Sequence, residues 1–235
     1  MAELTEAEQD RIWDHYQSEQ RGSFAASWPR LHYLARRIAP NSRVLNIGIG
    51  GGEFETAADR RELELFQLDP SLKTVEAARQ RSEVPQRVSI GYVQDMPFDN
   101  DQFDAVVASE LLEHLTDEIL AAALVEIARV LRPGGHFLGT VPAGENLEEN
   151  TMFCPHCQRR FHRWGHEQSF SVQSMADLLS TRFHTERVAE KQFVHWPQLN
   201  WRGKLIATTR LILAPLTSSG KNLVFFARKR SGSIS

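Results

Sequence analysis

Arg43-Val44-Leu45-Asn46-Ile47-Gly48-Ile49-Gly50-Gly51-Gly52-Glu53 is a short apolar run that breaks abruptly into glycines. Its first half reads as a buried strand. Glycines directly after a first strand let the backbone come close to a ligand and turn its amides toward it. Such a loop is shared by several ligand-binding folds and by ordinary turns, so the segments on either side have to decide.

Upstream, residues 5–21 are polar with helical spacing. Ile12, Trp13 and Tyr16 share a face, and Thr5 with Glu8 resembles a capping box. A second helix is expected from Trp28 or Pro29 to Ile38, with Leu31, Leu34, Ala35 and Ile38 as its apolar stripe and Pro40-Asn41-Ser42 as its stop. Downstream, Glu64 to Leu68 reads as a second strand ending at Asp69-Pro70, followed by a helix through Val75, Ala78 and Arg79. A third strand runs from Val88 to Tyr92 and leads to Asp95-Met96-Pro97. A fourth, Phe103 to Ala108, runs into a helix expected from Leu111 to Val130, and Pro133-Gly134-Gly135 turns the chain into a fifth, His136 to Val141. Strands and helices alternating in this way predict an α/β fold with a doubly wound, Rossmann-like parallel sheet. After Pro142 the rhythm fails. Residues 143–170 are polar and hold both cysteines, helix and strand signals resume at Ser174 to Leu179, and Leu223 to Ala227 is a strong strand.

The 235 residues carry 30 acidic and 27 basic side chains, a net charge of −3. A chain-wide field for nucleic acid is therefore disfavoured. Cys154 and Cys157 are the only cysteines, and a bridge between them would close almost no loop, which excludes a disulfide scaffold. The polar start lacks a secretory signal and no stretch is long enough to span a bilayer, so a cytoplasmic protein is expected.

A dinucleotide fingerprint requires a small residue three places after Gly50, and here that residue is Glu53. Asp69, closing the second strand, suits the two hydroxyls of a ribose. Taken with Asp95-Met96, Phe103-Asp104, Glu110-Leu111-Leu112-Glu113-His114-Leu115 and Leu131-Arg132-Pro133-Gly134-Gly135, the set resembles the class I S-adenosylmethionine-dependent methyltransferases over residues 40–142. Asn222 to Lys229 looks like that family's last, antiparallel strand. The resemblance implies that Gly48, Gly50 and Gly52 line the methionine moiety, Asp69-Pro70 the ribose, and Asp95-Met96 the adenine, with Ser109 and Glu110 beside the sulfonium. Asn46 stands where the family usually has an acid. Its amide can still bind the cofactor by hydrogen bonds but offers no charge to an ammonium. The chain then divides into an N-terminal helical cap (1–40), a cofactor-binding core (41–142), a Cys/His insert (143–170) and a C-terminal completion of the fold (171–235).

Cys154-x2-Cys157-x4-His162-x3-His166 has the ligand types of a closed, structural Zn²⁺ site of zinc-knuckle kind, with His156 as a substitute ligand. Surface histidines beside reduced cysteines are the bland alternative. His166, in a Gly-His-x-x-x-Phe context, is also placed to face the acceptor.

Removing a proton from an oxygen acceptor calls for a positioned base, and Glu110, Glu113 and His114 are the catalytic candidates. Spaced three and four apart, they would share one side of a helix. Glu110-x-x-Glu113-His114 also resembles the metal-ligand motif of ubiquinone-pathway O-methyltransferases and small-RNA 2′-O-methyltransferases. Simple helix-start packing is a third reading. The expected activity is O-methylation of a small molecule or glycan. An RNA 2′-O-methyltransferase and a non-catalytic cofactor- or zinc-binding module are the alternatives. Residues 196–216 mix Trp201, Leu205 and Ile206 with Arg202, Lys204 and Arg210, as in a helix contacting a membrane surface or a core-packed helix with a basic outer face. Oligomeric state is not legible.

Overall fold

The computed structural model describes residues 27–156, 158–195, 200–213 and 221–231. The run at 43–47 forms β1 (Arg43–Ile47), flanked in parallel by β2 (Glu64–Asp69) and β4 (Phe103–Ser109). β3 (Val88–Ile90) extends the sheet beyond β2, and β5 (Leu131–Pro142) beyond β4, again in parallel. A separate antiparallel hairpin, β6 (Thr151–Phe153) and β7 (Arg160–His162), lies within the insert. β8 (Phe183–Lys191) is an edge strand, and β9 (Asn222–Lys229) runs antiparallel between β5 and β8. The order is thus β3-β2-β1-β4-β5-β9-β8. It reverses direction between β1 and β4, and the crevice outside the carboxyl ends of those strands is where such sheets bind ligands.

Alternation along the strands feeds two cores. Val44, Ala105, Val107 and Leu138 pack under α1 (Trp28–Ala35) and α2 (Glu53–Asp59) through Leu34 and Phe54. Leu45, Val106, Phe137 and Phe225 pack under α4 (Asp117–Val130) and α5 (Val172–Ser180) through Ile127 and Met175. Between β2 and β3, α3 (Leu72–Arg81) buries Val75 and Ala78. α6 (Trp201–Leu213) precedes β9.

Several expected boundaries move. The helix after β4 begins at Asp117 instead of Leu111, because Thr116 caps it by accepting from Ile119 N. The preceding residues form a short 3-10 turn, Leu112–His114. α1 stops at Ala35, although Ile38 is still buried. β5 starts at Leu131: Phe103 pairs with Leu131 and Ala105 with His136, so Pro133-Gly134-Gly135 bulges within the strand, Gly134 taking φ +75°. The expected helix around Ile12, Trp13 and Tyr16 lies outside the described residues, as do Cys157 and the flanks of α6. No helix among the described residues is long and apolar enough to cross a membrane.

Candidate functional site

At the end of β1 the chain turns through Gly48 (φ +81°), Gly50 (φ +57°) and Gly52 (φ +91°), conformations that L side chains rarely adopt. Among the described residues, a Cβ added to Gly48 would meet nothing within 4 Å. Asn46 is buried and donates from Nδ2 to Gly48 O at 3.2 Å, bracing the loop from below. Asp69 ties the loop to β2: Oδ2 accepts from Ile49 N (2.9 Å) and Oδ1 from Ser71 N (3.0 Å). Each oxygen has further lone-pair capacity for a diol. Pro70 and Asp95 are exposed, whereas Met96 is buried. Arg129 fixes the chain around them by donating to the backbone oxygens of Met96 and Phe98 and to the Asn100 side chain at Oδ1, while Glu126 Oε2 accepts from Met96 N.

Glu110 follows β4 with φ +54°, a strained value for a residue with a side chain. Its carboxylate accepts from Thr140 Oγ1 (2.8 Å) and from Asn222 Nδ2 (3.0 Å to each oxygen), and Ser109 Oγ joins Thr140 Oγ1 at 2.8 Å. Arg30 Nε lies 3.9 Å from Glu110 Oε1, is buried, and has no hydrogen-bond partner among the described residues. Sequence reasoning missed Arg30. Its signal, a cation one residue after Pro29 in the first turn of α1, looks like an ordinary solvated helix position.

Glu113 and His114 lie on the 3-10 turn, so the helical face expected to align them with Glu110 does not exist. The Glu113 side chain is 1% exposed, and neither oxygen has a hydrogen-bond donor among the described residues. His114 Nε2 is 3.9 Å from Glu113 Oε1, and its Nδ1 is 3.2 Å from Gly165 O. His166 comes in from the insert, and one ligand atom each from Glu113, His114 and His166 lie within 4.8 Å of one another. The insert is docked there by its backbone, since Glu167 N and Gln168 N both donate to Glu113 O (2.7 and 2.9 Å). Burial, then the charge of Glu110, pushes the Glu113 carboxyl well above the usual range. Burial, then His166, pushes His114 well below its usual value.

A second cluster, Glu145, His162 and His166, shares His166 with the first. Glu145 Oε2 is 2.5 Å from His166 Nδ1, and Oε1 is 3.3 Å from His162 Nε2. Burial raises the Glu145 carboxyl, but the His166 hydrogen bond and the charge of both histidines outweigh it and hold the group below its ordinary value. His162 and His166, expected beside the cysteines, are therefore turned inward to Glu145. Cys154 sits at the tip of the β6–β7 hairpin, its N donating to Arg159 O, and it joins neither cluster. Glu145 carried no sequence signal, being one acid in a polar loop.

Comparison with known proteins bears on this crevice. Residues 45–139 match the family model for a methyltransferase domain. A ubiquinone biosynthesis O-methyltransferase of Xanthomonas campestris pv. campestris is 34% identical over 139 residues, 56% of each chain. An uncharacterized methyltransferase of Mycobacterium bovis is 37% identical over 100 residues, 42% of this chain and 39% of that one. The chain thus spans about half the length of the first of these relatives. Among solved structures, a chain from the complex of the Haloferax volcanii Trm112 methyltransferase activator with a methyltransferase superposes with TM-score 0.66 at 20% identity, covering 93% of this chain and 97% of that one. The Burkholderia thailandensis 1,6-didemethyltoxoflavin-N1-methyltransferase, solved with S-adenosylhomocysteine, gives TM-score 0.62 at 18% identity over 98% and 92%. The Rossmann-like methyltransferase fold is therefore shared, with one antiparallel strand in an otherwise parallel sheet.

Proposed function

We propose that the chain is an S-adenosylmethionine-dependent methyltransferase acting on an oxygen of a small molecule or glycan, and that Glu113, His114 and His166 hold a divalent cation beside the acceptor. The observation that carries this reading is the meeting, at the carboxyl ends of β1 and β4, of a glycine loop with a buried carboxylate that has no hydrogen-bond donor among the described residues and two converging imidazoles. The loop fits the cofactor: it presents backbone close to the ligand, and Asp69 offers a carboxylate to a ribose. Arg30, with its unsatisfied Nε, is placed to meet an anionic group such as the cofactor's carboxylate. One carboxylate with two imidazoles likewise suits a cation of the zinc, manganese or iron type.

The cofactor supplies an electrophilic methyl group, and a bound cation lowers the pKa of a hydroxyl that it touches. This chain's residues do the rest. Glycine-loop amides, Asp69 and the clamped Asp95-Met96 loop fix the donor, and alignment of an in-line displacement supplies much of the rate. Glu113, His114 and His166 would hold the cation, whose charge eases release of the acceptor's proton. Glu110, locked by Thr140 and Asn222, sets the edge of the methyl-transfer path.

The Cys154/Cys157/His162/His166 grouping makes a rival claim on His166. What supports the Glu113 site instead is the direction in which Glu145 holds that ring. The net charge of −3 weighs against an RNA acceptor. Exposed Trp201, Leu205 and Ile206 beside Arg202 and Lys204 on α6 support contact with an anionic membrane surface, which flotation with anionic vesicles tests. For the activity itself, S-adenosylhomocysteine at a hundred times its Kd should raise stability by about 2.7 kcal/mol. No thermal shift at saturation would sink the cofactor reading, and no S-adenosylhomocysteine release across hydroxylated acceptor panels would favour a non-catalytic module.

A further inference from the structure

We infer that Glu145, braced by His162, is the positioning residue that presents His166 to the cation site, so that the insert at 143–170 completes the site. This rests on the cation reading above and adds to it a carboxylate and a histidine that have no part in the reaction.

The argument follows the protons. His166 belongs to two groupings, and only one can use its lone pair. The backbone N–H of His166 donates to His162 Nδ1 at 3.1 Å. That nitrogen therefore keeps its lone pair, and the proton of the neutral His162 ring sits on Nε2, which lies 3.3 Å from Glu145 Oε1 without the alignment of a hydrogen bond, so that His162 braces through its Nδ1 and its ring face. A protonated nitrogen is no metal ligand, so His162 is a brace and the Glu145/His162/His166 grouping is not itself a cation site. An ionised carboxylate only accepts, so His166 Nδ1, 2.5 Å from Glu145 Oε2, carries its proton and leaves Nε2 as the coordinating atom. The same reasoning applies across the site: Gly165 O only accepts, so His114 carries its proton on Nδ1 and turns Nε2 to the carboxylate, 3.9 Å from Glu113 Oε1. Both imidazoles are thus set in the tautomer that coordinates through Nε2.

Glu145 is itself held. Asn150 Nδ2 donates to Oε1 at 2.9 Å and Ser169 Oγ to the Glu145 carbonyl at 2.6 Å. The His162 ring stacks on His166 with centroids 4.5 Å apart and planes 22° apart, which restricts rotation of the ligand ring. An outer carboxylate on a ligating imidazole fixes its orientation and raises its basicity, and losing one typically costs 10–100-fold in metal affinity.

The test titrates Mn²⁺ alone into chelator-stripped protein by calorimetry, comparing wild type, Glu145→Ala, Glu145→Gln and Cys154→Ser. Glu145→Ala should bind about 10–100-fold more weakly. Glu145→Gln, which keeps an oxygen for the Nδ1–H, should lose clearly less, and Cys154→Ser should match wild type. Glu145→Ala binding within twofold of wild type, with wild type binding well, would overturn the positioning role and leave the cation reading standing. Absence of Mn²⁺ binding by wild type would overturn both. Imidazole ¹⁵N spectra of the metal-free wild type give a readout that depends on no variant. His166 protonated on Nδ1 is expected, and protonation on Nε2 would overturn the proposal however Glu145→Ala behaves.

Discussion

Replacing Arg129 by Met removes a clamp while keeping the aliphatic stem. The guanidinium donates to Phe98 O at 2.7 Å, Asn100 Oδ1 at 2.9 Å and Met96 O at 3.0 Å, and it pairs with Glu126 through contacts of 2.6 and 2.8 Å. A hydrogen bond to a charged group contributes about 1.5–3 kcal/mol when shielded from water. The Arg129 side chain is 29% exposed, so water replaces part of what is lost, and the net cost should be about 2–3 kcal/mol rather than the sum. At about 2–4 °C per kcal/mol for a chain of this size, Tm should fall by roughly 4–12 °C. The pH dependence gives a second handle. Hydrogen bonding from Arg129 is the main reason the Glu126 carboxyl sits below its ordinary value of 4.5. A depressed folded-state pKa means stabilisation present above the unfolded value and lost as pH falls through the folded one. The variant should therefore lose less stability than wild type between pH 5 and the acid limit. Because the clamp holds the Asp95-Met96 loop, S-adenosylhomocysteine should also bind more weakly. Urea titrations at pH 7 and below pH 4.5, with calorimetry for the ligand, check this. Arg132→Met, which breaks an ion pair whose arginine is 60% exposed, is the control and should cost under about 1 kcal/mol. A Tm change for Arg129→Met no larger than the control's would refute the clamp.

Two further outcomes follow from packing and from the shared histidine. A Cβ on Gly139 would collide with the Ala108 carbonyl and the Phe225 ring, so Gly139→Ala should cost about 3 kcal/mol, the upper part of the overpacking range, and a loss under 1 kcal/mol in urea would contradict the β4–β5–β9 packing. Metal content measured on protein purified without a histidine tag separates the two claims on His166: His166→Ala should abolish binding while Cys154→Ser retains it, whereas loss in both would favour the Cys/His grouping.

What the sequence revealed and what it concealed divide along one physical line. β1, β4 and β9 are largely buried on both faces, so their apolar runs are visible in the chain itself, and the glycine loop shows because positive φ demands glycine. β8 was hidden because an edge strand reading Phe-His-Thr-Glu-Arg-Val-Ala-Glu-Lys buries only one end securely and has a polar composition. The candidate site was half legible for a related reason. Glu113 and His114 were found by spacing, yet the spacing argument assumed a helix. The true helix start was announced by Thr116-Asp117-Glu118, a cap followed by two acids, and Glu110 in the left-handed region leads instead into the 3-10 turn. His162 and His166 were also found, but they were paired with the nearest cysteines in sequence. In the fold both rings also face Glu145, seventeen residues before His162 by number, because Ala143 and Phe170 bridge and bring the two ends of the insert together. Local spacing can nominate ligands, whereas on the cation reading proposed above the nitrogen that would coordinate is set by acceptors that only the closed loop supplies.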